Sequence, residues 1–238
     1  MGAVTEMSRS EMARAEMPRA DVTPDPTPRW GTVLFDFDGT LANTIPLIVA
    51  SYRWTIEHFD LPRLTDEQIL ATIGRTLPDM MTELGGAERS EELQAAYSAW
   101  QRENVAAHLE GYAGVSELVH DLAEAGVRVG IATSRRRESA ENLATILGLE
   151  LPVLATLEDT AEHKPLPAPL LHAAAQLDAD PADTVYIGDA VVDLGAAQAA
   201  GMAGIGVTWG AGEADALRAE ASVAVVDTVD ELRTLLLG

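Results

Sequence analysis

The hydrophobic positions of the chain form short apolar runs that recur from residue 32 to near the C-terminal end. Each run has five to seven residues and is rich in β-branched side chains, a pattern typical of β-strands buried on both faces. The predicted strands are TVLFDF (32–37), VRVGIAT (127–133), PVLAT (152–156), TVYIGD (184–189), AGIGVTW (203–209) and VAVVD (223–227).

Between most of these runs lie segments rich in Ala, Leu and Glu whose apolar residues recur at helical spacing. Several end at a glycine, which suits the C-terminus of a helix. The predicted helices are VSELVHDLAEAG (115–126), ESAENLATILG (138–148), APLLHAAAQLD (168–178) and DLGAAQAAG (193–201). Because strands that alternate with helices form a parallel sheet covered on both faces, the pattern predicts an α/β fold with a doubly wound, Rossmann-like parallel sheet.

One interval interrupts this alternation. Between Ile45 and Gly111 the pattern is helical, in residues 47–59, 65–73 and 88–109, and no clear strand is present. We interpret residues 45–111 as a small α-helical cap domain inserted after the first strand. The α/β core domain is then built from residues 30–44 and 112–238.

The first 29 residues follow a different pattern. A five-residue unit recurs in EMSRS, EMARA and EMPRA, and three prolines follow in DVTPDPTPR. A five-residue period matches neither the 3.6 residues of a helical turn nor the two-residue repeat of a strand. We therefore predict a disordered tail over residues 1–29.

The composition narrows the possible partners. The 238 residues include 38 acidic and 16 Lys and Arg side chains, which give a net charge of -22. Such a charge repels nucleic acid and anionic membranes, so we expect neither as a partner. The sequence has no cysteine, which excludes disulfides and thiolate chemistry. No apolar run approaches the ~18 residues of a membrane span, and we expect a cytoplasmic protein. We expect it to be a monomer or a homodimer.

Polar side chains lie at or beyond the ends of four of the predicted strands. These are Asp36 and Asp38 in DFDGT, Thr133 and Ser134 in GIATSR, Lys164 in HKPLP, and Asp189 and Asp193 in YIGDAVVD. Because the carboxyl ends of parallel strands meet at one edge of a sheet, we expect these side chains to converge. Carboxylates crowded there would repel a phosphate unless a cation lies among them, and oxygen ligands favour Mg²⁺.

The single lysine supports this interpretation. Of the 16 Lys and Arg residues, Lys164 is the only lysine. A compact, flexible cation is retained where a phosphate or carboxylate partner in a tight site would need it.

In this order, the motifs DFDGT, a hydrophobic run ending in TS, KPLP and GDAVVD resemble the four motifs of the haloacid dehalogenase-like superfamily. The helical insertion resembles the cap of one of its subfamilies, and the match covers nearly all of residues 30–238. Segments such as DFDGTLANT and GDAVVDLGAAQAAG most resemble phosphoglycolate phosphatases and related inorganic pyrophosphatases.

The resemblance implies a catalytic role for each aspartate. Asp36 would attack phosphorus and form an aspartyl-phosphate. Asp38 would protonate the leaving oxygen and later deprotonate the attacking water. Mg²⁺ would be bound by the carboxylates of Asp36 and Asp189 and by the backbone carbonyl of Asp38. Asp193 would orient Lys164 or a water of the metal.

It also implies how the phosphoryl group would be bound. Thr133 would donate a hydrogen bond to it, assisted by backbone N–H groups near Gly39 and Ser134. Lys164 would neutralise charge on the phosphoryl group and on the nucleophile. Since alternate residues of a strand point to opposite faces, the turn at Gly39 has to bring Asp38 back toward this site.

The resulting prediction is a Mg²⁺-dependent phosphatase that acts on a small phosphorylated metabolite, such as a phosphoglycolate-like monoester. An inorganic pyrophosphatase or a phosphomutase would use the same core. A phosphoacceptor signalling domain is the alternative that is not an enzyme, although the order of the motifs argues against it. Asp38 favours a phosphatase or mutase, because by resemblance the dehalogenases lack an aspartate there.

Two arginines give weaker signals. Arg75, in the insertion segment ATIGRTLPDMM, is a candidate for binding a carboxylate or second phosphate of the substrate, and a solvated surface position is an equal alternative. Arg135 would add positive potential beside Thr133.

Overall fold

A computed structural model describes residues 28–221 and 223–238. Residues 1–27 of the predicted tail lie outside the described part of the chain. In chain order the strands are β1 (Thr32–Phe35), β2 (Ala42–Asn43), β3 (Glu110–Gly111), β4 (Arg128–Ala132), β5 (Val153–Ala155), β6 (Thr184–Gly188), β7 (Ala203–Val207) and β8 (Ala224–Val226).

Six of these strands form one parallel sheet in the order β5-β4-β1-β6-β7-β8. The strand order reverses at β1, which lies between β4 and β6. All residues of β1 and β6 are buried, as expected of parallel strands covered on both faces. The predicted doubly wound α/β fold is therefore confirmed.

Besides a 3-10 helix at Pro181–Asp183, ten α-helices accompany these strands in the described residues. They are α1 (Ile45–His58), α2 (Asp66–Leu70), α3 (Leu77–Gly85), α4 (Ser90–His108), α5 (Val115–Glu124), α6 (Arg137–Leu147), α7 (Ala168–Gln176), α8 (Val191–Ala199), α9 (Ala214–Glu220) and α10 (Val229–Leu237). Within the described ranges, none combines the length and the apolar character that a membrane-spanning helix needs.

The two faces of the sheet pack against different helices. Val33 and Phe35 of β1 point into a cluster with α5, α6 and α10, whereas Leu34 points into a cluster with α7 and α8. This split follows from the two-residue alternation of side chains along a strand. The packing fixes the position of β1 and therefore of the residues that follow it.

The first four helices form an insertion between β2 and β3. Strands β2 and β3 pair in an antiparallel ribbon at the base of the insertion, and α1, α3 and α4 share a hydrophobic cluster that includes Tyr52, Met81 and Leu93. The structure thus has a short strand at residues 110–111, where we predicted none. The sequence pattern did not reveal it, because two residues are too few to display alternation. The division into separate core and cap domains, near residues 44 and 112, stays a prediction.

Helix α3 was also not predicted. It begins after Thr76, whose hydroxyl accepts a hydrogen bond from the backbone N–H of Asp79, and it carries a proline in its first turn. The predicted helix over residues 65–73 is shorter and ends at Leu70. The segment between α2 and α3 contains Gly74 and Arg75 and faces the carboxyl edge of the sheet.

Candidate active site

The polar residues that follow the strands meet at one edge of the sheet. Phe35 of β1 lies level with Ile131 of β4 and Ile187 of β6. The residues that follow these positions therefore reach the same edge. Asp36, Thr133, Lys164, Asp189 and Asp193 are all buried there, each less than 10% exposed.

Lys164 is at the centre of this group. Its Nζ lies 2.9 Å from Asp36 Oδ1 and 2.7 Å from Asp193 Oδ1, and it donates a hydrogen bond to the Tyr186 hydroxyl at 3.1 Å. Burial alone would lower the pKa of Lys164, but the Asp193 and Asp36 carboxylates raise it well above its usual value. The ammonium is therefore a fixed positive charge beside the predicted nucleophile.

Three carboxylates, Asp36, Asp189 and Asp193, form a group that we call the acidic cluster. Each offers an oxygen within 4.8 Å of the others. Burial raises the pKa of Asp36 to about 7 despite the opposing charge of Lys164, and the Asp193 and Asp38 carboxylates add to the rise. Burial likewise raises the pKa of Asp189 well above its usual value, with Asp193 and Asp36 contributing.

The acidic cluster fits a divalent cation. Three buried carboxylates share one buried ammonium, so negative charge is in excess where the pKa values are raised. The donors are all oxygen atoms, which suits a hard cation. The carboxylates of Asp36 and Asp189 belong to the predicted ligand set. The predicted ligation through the backbone carbonyl of Asp38 stays a prediction.

The Asp189 carboxylate packs closely against the backbone of Gly39. Gly39 has φ +74°, and a Cβ at this position would lie 2.1 Å from Asp189 Oδ2. That oxygen accepts a hydrogen bond from the backbone N–H of Ala211 at 2.7 Å. Gly39 therefore allows the turn after β1 to approach the carboxylate closely, in a conformation that other residues rarely adopt.

This turn also places Asp38. The backbone N–H groups of Thr40, Leu41 and Ala42 all donate to Phe37 O, while the Phe37 side chain is fully buried in the core. Asp38 is thus held in a tight turn beyond the strand. The Thr44 hydroxyl donates a hydrogen bond to Asp38 Oδ1 at 2.6 Å.

Arg135 pairs with Asp38. Its Nε lies 3.1 Å from both carboxylate oxygens of Asp38, and its NH1 donates to Gln101 and Ser139 at 3.1 and 2.9 Å. Although burial acts to raise the pKa of Asp38, the Arg135 guanidinium holds it below its usual value. The sequence indicated only positive potential from Arg135. Its position two residues after Thr133 was the available signal, but it did not reveal this pairing.

The other predicted residues lie around the same edge. Thr133 is buried, and its hydroxyl accepts a hydrogen bond from the backbone N–H of Arg135 at 3.2 Å. Ser134 donates its hydroxyl hydrogen to Gly74 O at 2.8 Å, which joins the core to the insertion. Arg75 follows Gly74 in the chain, but its guanidinium is paired with the Glu83 carboxylate at 2.7 Å.

A cavity of about 360 Å³ lies between the insertion and this edge of the sheet. Its apolar lining comes mainly from α1, α3, α4 and α6. The apolar lining residues are Leu47, Ile48, Ile73, Leu77, Met80, Tyr97, Val105 and Leu143, and the charged ones are Asp38, Arg75, Arg102, Arg135, Arg136 and Glu138. The cavity therefore connects the Asp38 carboxylate to a largely apolar space under the helical insertion.

Comparison with known proteins agrees with this geometry. The family model of the haloacid dehalogenase-like hydrolases matches residues 33–207, more than half of the chain. The pyrophosphatase PpaX of Bacillus mycoides is 35% identical over 185 residues, which are 75% of this chain and 83% of that protein.

Solved structures show the same fold. A protein from Bacteroides fragilis described as a haloacid dehalogenase-like hydrolase has a TM-score of 0.78 at 30% identity, over 85% of this chain and 99% of that one. A protein from Lactobacillus plantarum described as a phosphoglycolate phosphatase has a TM-score of 0.74 at 26% identity, over 87% and 99% of the two chains. The chain therefore belongs to the haloacid dehalogenase-like hydrolases, and its predicted assignment to the phosphatases of this superfamily is confirmed.

Proposed function

We propose that this chain hydrolyses a phosphomonoester of a small metabolite, with Asp36 as the nucleophile and Mg²⁺ as the cofactor. The observation that carries the proposal is the contact of Asp36 with Lys164 inside the acidic cluster. A carboxylate is a nucleophile in its ionised form, and the neighbouring ammonium favours that form.

In the first step, an Asp36 oxygen attacks phosphorus while the bond between phosphorus and the leaving oxygen breaks. Asp38 lies two residues further on in the turn, and in its protonated form it gives its proton to the leaving oxygen. Before substrate binds, the paired Arg135 guanidinium disfavours this protonated form, because it lowers the pKa of Asp38. In the second step, Asp38 takes a proton from the attacking water, the new acyl phosphate is hydrolysed, and Asp36 is regenerated as a carboxylate. Such proton transfer typically contributes ~10²- to 10⁴-fold to the rate.

The remaining residues bind and neutralise the phosphoryl group. We assign the Thr133 hydroxyl and the backbone N–H of Ser134 as donors to it. The backbone N–H of Gly39, also predicted as a donor, is hydrogen-bonded to Ala42 O at 2.9 Å in this structure. Lys164 offsets negative charge, and Asp193, 2.7 Å away, fixes its position. A divalent cation held by the carboxylates of the acidic cluster would supply charge neutralisation that lets an anionic nucleophile approach an anionic phosphate.

Two compounds are the first to test as substrates. A phosphoglycolate-like monoester follows from the motif resemblance. Pyrophosphate is the second candidate, because the Bacillus mycoides relative is named a pyrophosphatase. A cytoplasmic location and a monomeric or homodimeric state also stay predictions.

The test is hydrolysis of p-nitrophenyl phosphate, phosphoglycolate and pyrophosphate with Mg²⁺ and with EDTA. We expect activity that EDTA abolishes and that Asp36→Asn lowers by at least about 10³-fold. Asp66→Asn is the matched control, since Asp66 is an exposed carboxylate paired with Arg53. An Asp36→Asn enzyme with the activity of the control would refute the assignment of the nucleophile.

A second measurement tests the covalent step. Asp38→Asn keeps the nucleophile but can neither protonate the leaving oxygen nor deprotonate the attacking water. The substrate is therefore p-nitrophenyl phosphate, whose leaving group needs no proton. Mass spectrometry of this variant, quenched in acid during turnover, should detect phosphorylated protein. The phosphate should be absent in the double variant that also carries Asp36→Asn.

A further inference from the structure

The position of the cavity indicates which part of a substrate it receives. The described residues that line it include Asp38, Ser134 and Arg135 but not Asp36 or Lys164. In the proposed reaction, Asp38 contacts the leaving oxygen. The cavity therefore lies on the leaving-group side of the reaction centre.

Much of the cavity wall is apolar, unlike a second phosphate site. Ile48, Ile73 and Met80 are each less than 8% exposed and present apolar side chains from the insertion. Leu143 closes the opposite side from α6, which belongs to the core. These side chains gain free energy from contact with carbon atoms and none from contact with phosphate oxygens.

Three of the four arginines that line the cavity are already paired. Three arginines in its lining each lie beside a carboxylate, and a fourth, Arg102, is exposed to solvent. The pairs are Arg75–Glu83, Arg135–Asp38 and Arg136–Glu158. Glu138 adds a further negative charge to the lining. At the three paired arginines, a leaving group with a second phosphate or a carboxylate would have to displace these partners, whereas an uncharged group would not.

We propose that the preferred substrate is the phosphate ester of an alcohol with an uncharged, largely apolar body that fills this cavity. This inference rests on the proposed phosphatase function and deepens it by naming the class of leaving group. The cavity of about 360 Å³ falls within the size range of small-molecule sites. The apolar body packs against the insertion, and the ester oxygen lies at the Asp38 carboxylate.

The experiment is a chain-length series. The enzyme is assayed with Mg²⁺ by phosphate release from alkyl phosphates of increasing length, from methyl to hexyl phosphate, with phosphoglycolate and pyrophosphate as charged comparisons. Each methylene that becomes buried in the cavity should raise kcat/KM by about fourfold. The kcat/KM for hexyl phosphate should then be higher than that for phosphoglycolate and that for pyrophosphate.

Two variants locate the effect in the cavity. Met80→Gln keeps the length of the side chain and Val105→Thr keeps its shape, but both make the wall polar. Each should reduce kcat/KM for hexyl phosphate at least about twofold more than that for methyl phosphate. The matched control is Ile146→Asn, because Ile146 lies on α6 but is 52% exposed, and this variant should keep the full chain-length dependence.

The outcomes separate the two proposals. A flat series, or a higher kcat/KM for phosphoglycolate or pyrophosphate, would overturn the inference about the leaving group while leaving the phosphatase function intact. An unchanged chain-length dependence in both folded cavity variants would do the same. If none of these compounds nor p-nitrophenyl phosphate is hydrolysed, the proposed function fails and the inference fails with it.

Discussion

Replacing Lys164 with methionine is the most informative perturbation of this site. The Lys164 side chain is 1% exposed, and its two partners, Asp36 and Asp193, are 3% and 0% exposed. Methionine has similar length and fills the same space, so Lys164→Met removes the charge without opening a large cavity. Two buried carboxylates then lose their shared cation.

The structure allows the magnitude to be estimated. Removing one partner of a buried ion pair typically lowers the free energy of unfolding by about 3–5 kcal/mol, because the remaining charge is buried without compensation. Since a whole domain is stable by about 5–15 kcal/mol, this is a large fraction of the total. The deficit should shrink as the pH falls toward 4, because protonated carboxyl groups need no counter-charge.

The assay is urea denaturation followed by circular dichroism at pH 7 in EDTA, which keeps divalent cations from compensating for the lost charge. Arg53→Met is the matched control: the Arg53–Asp66 pair is as short, at 2.6 Å, but its side chains are 63% and 58% exposed. Exposed pairs typically contribute about 0.2–1 kcal/mol. Adding Mg²⁺ should stabilise Lys164→Met more than it stabilises the unsubstituted protein.

A double-variant cycle isolates the contact itself. Asp193→Asn removes one of the two carboxylate charges, so Lys164→Met combined with Asp193→Asn should be more stable than Lys164→Met alone by about 1–3 kcal/mol. The reasoning is refuted if Lys164→Met lies within about 1 kcal/mol of the unsubstituted protein, as Arg53→Met should.

Three further predictions concern the carboxylates and the turn after β1. In EDTA, the contribution of Asp36 to the free energy of unfolding should fall as the pH rises from about 4 to 7, because the unfolded chain ionises Asp36 near 3.8 while the folded chain keeps that proton to about 7. The free energy of unfolding of the unsubstituted protein, measured at several pH values, should therefore change more negatively with pH than that of Asp36→Asn, by up to about 1.4 kcal/mol per pH unit. Arg135→Gln should lower the free energy of unfolding at pH 7 by about 3–5 kcal/mol. Because Arg135 lowers the pKa of Asp38, this stabilisation is present above the usual carboxyl pKa of 3.8 and is lost as the pH falls through the lower pKa of the folded state. Acid titration followed by circular dichroism measures this loss. Gly39→Ala should abolish most activity, since its Cβ would meet the Asp189 carboxylate of the acidic cluster. Gly126 has a similar φ of +78° but nothing within 4 Å of an added Cβ, so Gly126→Ala should lose only about 1–2 kcal/mol of stability.

Each of these has a contrary result. Parallel pH curves for Asp36→Asn and the unsubstituted protein would show that this carboxyl is not protonated in the folded state near neutral pH. An acid titration of Arg135→Gln that matches the unsubstituted protein would mean that the pairing with Asp38 does not stabilise the fold. Equal activity in the two glycine variants would remove the argument for close packing against the acidic cluster.

The sequence by itself determined the sheet and the edge at which chemistry occurs. Short apolar runs that alternate with helical segments predict a parallel sheet covered on both faces, and the carboxyl ends of such strands share an edge. The convergence of Asp36, Thr133, Lys164 and Asp189 followed from this local pattern. The roles given to these residues rest on the resemblance and stay proposals.

Only the tertiary structure decided how the charges are paired and what space adjoins them. Arg135 and Asp38 are 97 residues apart in the chain, and no local spacing relates an arginine after β4 to a turn after β1. Asp193 was expected at this edge from the sequence, and the packing of the first turn of α8 against the end of β6 places it there. The apolar cavity exists because the insertion closes over α6. Contacts of this kind depend on how separate elements approach one another, which local periodicity does not encode.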